Sequence, residues 1–268
     1  VDQGANWAPM AAIGAGIERI GMSDDGQRIL AARDHAGGAV HLSTDGGASF
    51  STVPGLPAGG NWISAAVSAD GQKMVASQNG TVVAGRTVLS AGGGSTWTAL
   101  TTPMGMHEVA LSADGTTLVG LTHRNNGSDN TVYVSKDDGA TWTARLSLPL
   151  TGAGNLLRVA VSGDGKTLLA NTWTGQSWVS FNGGTNWGSN NRTGYWYGTA
   201  VSRDGSRLFV GDQDNAGRIY TAIRSTGRLS TAGTTGYLAG AQYTGASLQY
   251  LGNDTWLLTG STGTLHIR

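Results

Sequence analysis

A turn motif that recurs along the chain constrains its fold more than any other feature. The motif reads Ser-x-Asp-x-Gly-x-Thr-Trp, and we call it the Trp box. Its copies lie at residues 43–50, 90–97, 135–142 and 180–187. Asp or Asn can bind nearby backbone N–H groups, and Gly adopts the positive φ of a tight turn. Each copy follows a short apolar run, so the pattern predicts a β-hairpin turn against which the aromatic ring packs.

A second turn alternates with the Trp box. With drift, it reads Ser-x-Asp-Gly-x-x-Leu between two apolar segments, and we call it the first-hairpin turn. Its copies begin at Ser23, Ser68, Ser112, Ser162 and Ser202, which gives spacings of 45, 44, 50 and 40 residues. A period of about 40–50 residues with four strands per unit is typical of a β-propeller blade. We expect the first-hairpin turn to join strands one and two, and the Trp box to join strands three and four.

The Trp boxes resemble the Asp-box repeat, also called the BNR repeat. That repeat occurs in sialidases, some polysaccharide-degrading propellers, sortilin-type receptors and photosystem assembly factors. The resemblance covers nearly the whole chain and implies blades whose box residues are structural. It also implies that ligands bind on the face opposite the regular turns, which we call the variable face.

We predict an all-β fold: one six-bladed β-propeller over residues 1–268. The blades begin at about residues 17, 62, 106, 156, 196 and 247, and residues 224–230 carry a decayed box. The last unit ends with its third strand at 264–268. Residues 1–10 contain Asp2, Gly4 and Trp7 at box spacing. We therefore expect this segment to add the outer strand of the last blade and close the ring, which removes exposed sheet edges.

The composition narrows the classes of function. Charged residues make up 13% of the chain and the formal net charge is zero, so phosphate charge would not drive binding to nucleic acid. No apolar run approaches the roughly 18 residues of a membrane span. There are no cysteines and only three lysines, and the chain begins at Val1. We expect an exported domain, either secreted or periplasmic.

Carboxylates outside the two kinds of turn map to the variable face. They are Glu18, Asp34, Glu108, Asp129, Asp212 and Asp214, and three histidines, His35, His107 and His123, map there too. Asp34 paired with Glu18 or Asp212 is a candidate for acid/base work on a glycosidic bond, which needs carboxyl groups roughly 5–9 Å apart. The alternative is that these are solvated loop acids or ion pairs. Glu108 and Arg158 lie at equivalent depth on adjacent blades and predict an interblade salt bridge.

Aromatic residues outside the boxes also map to the variable face. They are Trp62, Trp173, Trp196 and Tyr197. Flat rings stack on the C–H groups of sugars while polar side chains bind the hydroxyl groups. The alternative is that these rings fill the central channel or the contacts between blades. The candidate ligand-binding residues are Trp62, Trp196, Tyr197, Trp173, Asp34, His107, His123, Arg19 and Arg158.

Other chemistries find little support. Arg19, Arg33 and Arg158 imitate part of a sialidase arginine triad, but the first and fourth blades of a six-bladed ring are opposite each other. Residues 212–217 look like the first half of a calcium loop, yet no Glu follows to complete it. The histidines lack zinc spacing. We therefore expect no metal and no cofactor.

Three functions remain, in order of preference. The first is non-catalytic binding of a carbohydrate or small polar ligand on the variable face. The second is a glycoside hydrolase or polysaccharide lyase that uses Asp34, Glu18, Asp212 or His107. The third is a scaffold or assembly factor that binds another protein.

Overall fold

A computed structural model shows successive antiparallel sheets along the chain. It describes residues 6–34, 37–56, 59–78, 86–101, 105–122, 130–148, 155–190, 192–213, 217–224, 238–240, 245–252, 255–262 and 265–267. Within these residues every regular element is a strand. The predicted all-β class is confirmed.

The first two blades are four-stranded sheets in which each strand pairs with the next along the chain. Blade 1 contains β1 (Ile17–Met22), β2 (Ile29–Arg33), β3 (Val40–Ser43) and β4 (Ser51–Thr52). Blade 2 contains β5 (Trp62–Val67), β6 (Met74–Gln78), β7 (Thr87–Ser90) and β8 (Thr98–Ala99). As predicted, the first-hairpin turn joins strands one and two, and the Trp box joins strands three and four.

The next three units repeat this order, and three strands of the last of them lie within the described residues. Blade 3 contains β9 (Glu108–Leu111), β10 (Leu118–Leu121), β11 (Thr131–Ser135) and β12 (Thr143–Ser147). Blade 4 contains β13 (Leu156–Val161), β14 (Leu168–Thr172), β15 (Ser177–Ser180) and β16 (Gly188–Ser189). Blade 5 contains β17 (Trp196–Val201), β18 (Arg207–Asp212) and β19 (Ile219–Ile223), and all but the first residue of its decayed box at 224–230 lies outside the described residues.

Beyond blade 5 the described strands form two pairs, and the sixth four-stranded blade stays a prediction. These strands are β20 (Leu238–Gly240), β21 (Gly245–Gly252), β22 (Thr255–Thr262) and β23 (Leu265–Ile267). β21 pairs with β22, whereas β23 pairs with β20, so the described strands form two separate two-stranded sheets. Turn geometry sets strand register, and this segment lacks both the first-hairpin turn and a Trp box.

Hydrogen bonds stabilise each first-hairpin turn internally and link it to the neighbouring blade. In blade 2 the Ser68 hydroxyl donates to Asp70 Oδ1 at 2.6 Å and accepts from the Lys73 N–H at 2.9 Å. The Ala69 N–H then donates to the Ala113 carbonyl of blade 3 at 2.8 Å. The repeated turn therefore also fixes the position of one blade relative to the next.

The Trp box uses the same side-chain chemistry. The Ser135 hydroxyl donates to Asp137 Oδ1 at 2.8 Å and accepts from the Gly139 N–H at 2.9 Å. Asp137 also accepts from the hydroxyl and N–H of Thr141, and these hydrogen bonds lower the pKa of Asp137 to about 2. The Trp142 indole donates to the Gly139 carbonyl at 3.1 Å and so folds back over the turn.

Four hydrophobic cores lie between consecutive blades. At the start of each inner strand, or just before it, a large apolar side chain packs on the preceding blade. In blades 2 to 5 these side chains are Trp62, Met106, Leu156 and Trp196. The small residues on the opposite side permit close approach: a Cβ on Gly21 would lie 2.8 Å from the Ala66 Cα. This is the predicted packing of large against small.

The N-terminal segment shows no strand in its described part, residues 6–16. Trp7 is 92% exposed, unlike the box tryptophans Trp97, Trp142 and Trp187, whose indoles each donate to a glycine carbonyl. Residues 1–5, on which the predicted closing strand depends, lie outside the described residues.

Candidate ligand site on the variable face

A buried carboxylate, Glu108, forms ion pairs with two arginines. Glu108 Oε1 lies 3.4 Å from Arg19 Nε, and Glu108 Oε2 lies 3.7 Å from Arg158 Nη1. The side chain of Glu108 is 10% exposed, against 28% for Arg19 and 18% for Arg158. The predicted interblade pair of Glu108 and Arg158 is confirmed, and Arg19 joins it from blade 1.

Arg19 and Glu108 come from inner strands that are two repeats apart. Arg19 and Glu108 lie 89 residues apart, which is two repeat lengths of 45 and 44 residues. Glu108 of blade 3 pairs with an arginine from blade 1 and with one from blade 4, so the two arginines face the same acid. Arg33 has a different role, since its guanidinium donates to the carbonyls of Ile13 and Gly37.

Burial dominates the electrostatics of this network. It raises the pKa of Glu108 to about 7, and the attraction of Arg158 and Arg19 opposes that rise without cancelling it. Burial also lowers the pKa of Arg158, while Glu108 acts in the opposite direction. Two cations on one acid give the network a net positive charge when Glu108 is ionised.

Two exposed aromatic rings adjoin the charged network. The Arg158 guanidinium carbon lies 5.7 Å from the centre of the Tyr197 ring, within cation–π range. Tyr197 meets Trp173 edge-to-face, with 5.9 Å between ring centres and 73° between ring planes. Trp173 is 42% exposed and Tyr197 is 36% exposed. We call Arg19, Glu108, Arg158, Trp173 and Tyr197 the rim cluster.

The other two predicted aromatic residues are core residues. Trp62 is 0% exposed and Trp196 is 1% exposed. The Trp196 indole donates to the Gly175 carbonyl at 2.7 Å, and its ring meets Tyr220 edge-to-face. Their rings are large apolar surfaces at the packing position of an inner strand, so blade contact buries them and they are no longer candidates for stacking on a ligand.

The remaining predicted site residues are dispersed. Glu18 is exposed beside Arg19, whose Nη1 donates to the Glu18 carbonyl at 2.8 Å. The Asp34 N–H donates to the Gly16 carbonyl, and Asp212 Oδ1 accepts from the Tyr195 N–H at 3.2 Å. The His107 N–H donates to the Leu121 carbonyl. His123 lies outside the described residues.

The pairing of Arg19 with Glu108 was not among the predicted contacts. A residue-by-residue alignment of the five first-hairpin units would have shown it, because Arg19, Ser64, Glu108, Arg158 and Gly198 occupy one equivalent position. Ser64 at that position accepts from the Val109 N–H at 3.0 Å, so it too links neighbouring blades.

Neither metal binding nor a membrane helix is indicated by the described residues. No group of three His, Asp or Glu side chains among them is arranged to hold a metal ion. That part of the chain also contains no helix long and apolar enough to cross a membrane.

Comparison with known proteins identifies the fold class. No family model and no curated protein matches this chain. Among solved structures, a GH74 enzyme from Niastella koreensis is 20% identical over 76% of this chain and 36% of its own length, with a TM-score of 0.57. A putative TolB from Agrobacterium tumefaciens is 19% identical over 77% and 76% of the two chains, with a TM-score of 0.59.

A third similar structure comes from a different group of proteins. The Cps50 (Swd1) β-propeller domain from Myceliophteria thermophila is 14% identical over 81% of this chain and 69% of its own, with a TM-score of 0.58. This chain spans about a third of the length of the GH74 enzymes it matches. Such low identities show the fold alone, and that fold is a β-propeller.

Proposed function

We propose that the rim cluster binds a carbohydrate or another small polar ligand without catalysis. One observation carries the proposal: the exposed rings of Trp173 and Tyr197 touch beside the paired guanidinium of Arg158. A sugar ring has apolar C–H faces and polar hydroxyl edges, so it needs both kinds of surface in one place. Exposed aromatic area next to fixed donors satisfies that need.

The ion pairs favour binding by holding the donors in place before a ligand arrives. Arg158 Nη1 donates to the Leu157 carbonyl at 3.1 Å and faces Glu108, which restricts the side chain. A guanidinium has five N–H donors, so several remain for a ligand. Less side-chain entropy is lost when such a group binds than when a free arginine does.

A glycoside hydrolase is the second candidate. The observation that favours it is the pKa of Glu108, about 7, which suits a group that gives up a proton near neutral pH. Such an enzyme needs a second carboxylate, and Glu18, Asp34 and Asp212 remain the candidates, with His107 as an alternative base. The ion pairs of Glu108 with two arginines favour a structural role, and for that reason this function ranks second.

The finer description of the fold belongs to the proposal as well. Asp-box repeats are supported by the hydrogen bonds of the Ser135 and Asp137 turn. Six blades closed by an N-terminal strand are supported by the repeat period and by the box spacing of Asp2, Gly4 and Trp7. Export, secreted or periplasmic, is supported by the low lysine content.

A glycan array tests the function directly. The protein would be screened beside the Trp173→Ala and Tyr197→Ala variants, with Trp7→Ala as the control, because Trp7 is an exposed tryptophan outside the rim cluster. We expect saturable binding to one sugar class that both rim variants lose and the control keeps. Binding that survives in both rim variants would reject the site. If neither the wild type nor any variant binds a glycan, and the protein captures a specific protein partner, the scaffold function would be favoured.

An assay for released sugar distinguishes binding from catalysis. The sugar that binds on the array would be incubated with the protein and analysed for reducing ends or unsaturated products. We expect neither. Products that disappear in a Glu108→Gln variant would replace the proposal with the hydrolase.

A further inference from the structure

The Trp box of blade 2, residues 90–97, lacks the side chain that organises the other boxes. Gly92 stands where the boxes of blades 1, 3 and 4 have Asp45, Asp137 and Asn182. In those three boxes this side chain accepts hydrogen bonds from the first serine of the box and from the N–H four residues further on. Glycine supplies no acceptor, so the box of blade 2 has the donors without the acid.

The backbone of this box nevertheless has the same geometry as the others. The Gly94 N–H donates to Ser90 Oγ at 2.9 Å, and the Trp97 indole donates to the Gly94 carbonyl at 3.1 Å. The matching hydrogen bonds in the box of blade 3 have the same lengths. The donors of blade 2 are therefore held where the other boxes bind a side-chain oxygen.

Three of these donors have no acceptor within the described part of the chain. The Ser90 hydroxyl, in a residue that is 1% exposed, accepts two backbone N–H groups but has no acceptor for its own proton. Thr96 matches Thr141 of blade 3, whose N–H and hydroxyl donate to Asp137 at 2.9 and 2.5 Å. The N–H and hydroxyl of Thr96 have no such partner. A buried donor without an acceptor destabilises a fold, so an oxygen placed here would be bound favourably.

Arg28 of blade 1 brings a positive charge to the same box. Its Nη2 and Nε lie 3.1 and 3.2 Å from the point that a Cβ on Gly93 would occupy, and the buried Nε has no hydrogen-bond partner among the described residues. In the next blade the equivalent cation, Lys73, lies 2.5 Å from Asp138, which is the residue that matches Gly93. None of the described ion pairs joins Arg28 to an acid. The cation is thus retained where both acids of the box are replaced by glycine.

We infer that the Trp box of blade 2 and Arg28 form a binding site for a carboxylate group. Ser90 and Thr96 supply the donors that hold the Asp137 carboxylate in blade 3, and a guanidinium strengthens such bonds by its charge. Gly92 and Thr96 are exposed, so a carboxylate can enter from solvent. The site shares no residue with the rim cluster and is independent of the ligand proposed there.

Restoring the acid within the chain tests the inference. A Cβ on Gly92 would lie 2.9 Å from Ser95 Oγ, and the boxes of blades 1 and 3 have Ala48 and Ala140 at the position of Ser95. Gly92→Asp would therefore be made in a Ser95→Ala background, with Ser95→Ala alone as the control. Thermal melts would be recorded in sodium acetate and in sodium chloride of equal ionic strength at neutral pH.

Acetate should stabilise only the proteins that lack the acid. We expect it to raise the melting temperature of the wild type and of Ser95→Ala by about 2–4 °C more than chloride does. The double variant should melt higher than its background in chloride and gain less than half as much from acetate. Equal gains in all three proteins, or a gain in none, would overturn the inference.

Amide resonances locate the bound carboxylate in the unmodified protein. Acetate would be titrated while the N–H of Thr96 is followed by NMR, with the N–H of Thr141 as the matched control because Asp137 already accepts from it. We expect a saturable shift at Thr96 alone, and an affinity at least tenfold lower in Arg28→Gln. A Thr96 resonance that moves no more than that of Thr141, or an unchanged affinity in Arg28→Gln, would overturn the inference.

A blocked amino acid distinguishes the sources of the carboxylate. Acetyl-aspartyl-amide would be titrated beside acetate, with acetyl-asparaginyl-amide as the uncharged control. Binding of the aspartyl compound at least tenfold tighter than acetate would support an acidic side chain of another protein as the ligand, and equal binding would support a free small carboxylate. Equal binding of the asparaginyl compound would overturn the inference, because that compound has no carboxylate.

Discussion

Arg19 Nε lies 3.4 Å from Glu108 Oε1, although blade 2 separates their strands along the chain. Arg158 approaches the other carboxylate oxygen from blade 4. One buried acid thus connects three blades, and its partner Arg158 lies over the ring of Tyr197, one of the two exposed rings that we propose bind a ligand. Any change in the charge of Glu108 should therefore affect stability and the site together.

The charge of Glu108 should make stability depend on pH. Burial raises its pKa from 4.5 to about 7, so the folded protein keeps a proton that the unfolded chain loses. The resulting stability is fully present below pH 4.5 and is lost as pH rises through about 7. We expect this decline in the melting temperature of the wild type and a smaller one in Glu108→Gln. Parallel pH profiles for the two proteins, measured by circular dichroism, would contradict the assignment.

Removal of two adjacent aromatic rings on β17 should lower stability by very different amounts. Trp196→Ala deletes a buried ring and its hydrogen bond to Gly175, and should cost about 3–5 kcal/mol. Tyr197→Ala removes an exposed ring and should cost less than about 1 kcal/mol. Urea denaturation of the two variants would measure both values. Similar losses would mean that Tyr197 is also a core residue.

Removal of a Trp-box hydroxyl should destabilise blade 3. Ser135→Ala leaves the buried Gly139 N–H without the Ser135 oxygen and removes one of the hydrogen bonds that Asp137 accepts, which should cost about 1–3 kcal/mol. Thr141→Ala in the same box is the control: its hydroxyl bonds Asp137 at an exposed position and should cost less. Chemical denaturation of both variants provides the comparison, and a larger loss in the control would reject this account.

Position 21, where blades 1 and 2 approach closely, should not tolerate an added methyl group. In Gly21→Ala the new Cβ would lie 2.8 Å from the Ala66 Cα and 2.9 Å from the Val67 nitrogen. These are backbone atoms that cannot move alone, so the blades must separate, and we expect a loss of about 1–3 kcal/mol. Gly211→Ala is the matched strand control, since its nearest contact is 3.4 Å. A thermal melt should rank Gly21→Ala well below Gly211→Ala.

Local chemistry made much of the fold predictable. Asp, Gly and Ser at fixed offsets determine a turn through bonds to the backbone within a few residues, as Ser68 and Ser135 do. The positions of both hairpins, the strand order of the first four blades and the packing of large against small residues could therefore be predicted. The segment after blade 5 was less predictable, since it lacks the turns that set register.

The sequence by itself determined the repeat, the turns and the all-β class, because these depend on residues close together in the chain. Only the tertiary structure decided which candidate residues form a site. Trp62 and Trp196 looked like Trp173 in the sequence, but neighbouring blades bury the first two and leave the third exposed. Arg19, Glu108 and Arg158 come together for the same reason: burial and charge pairing depend on residues many positions away, which only packing of the blades makes neighbours.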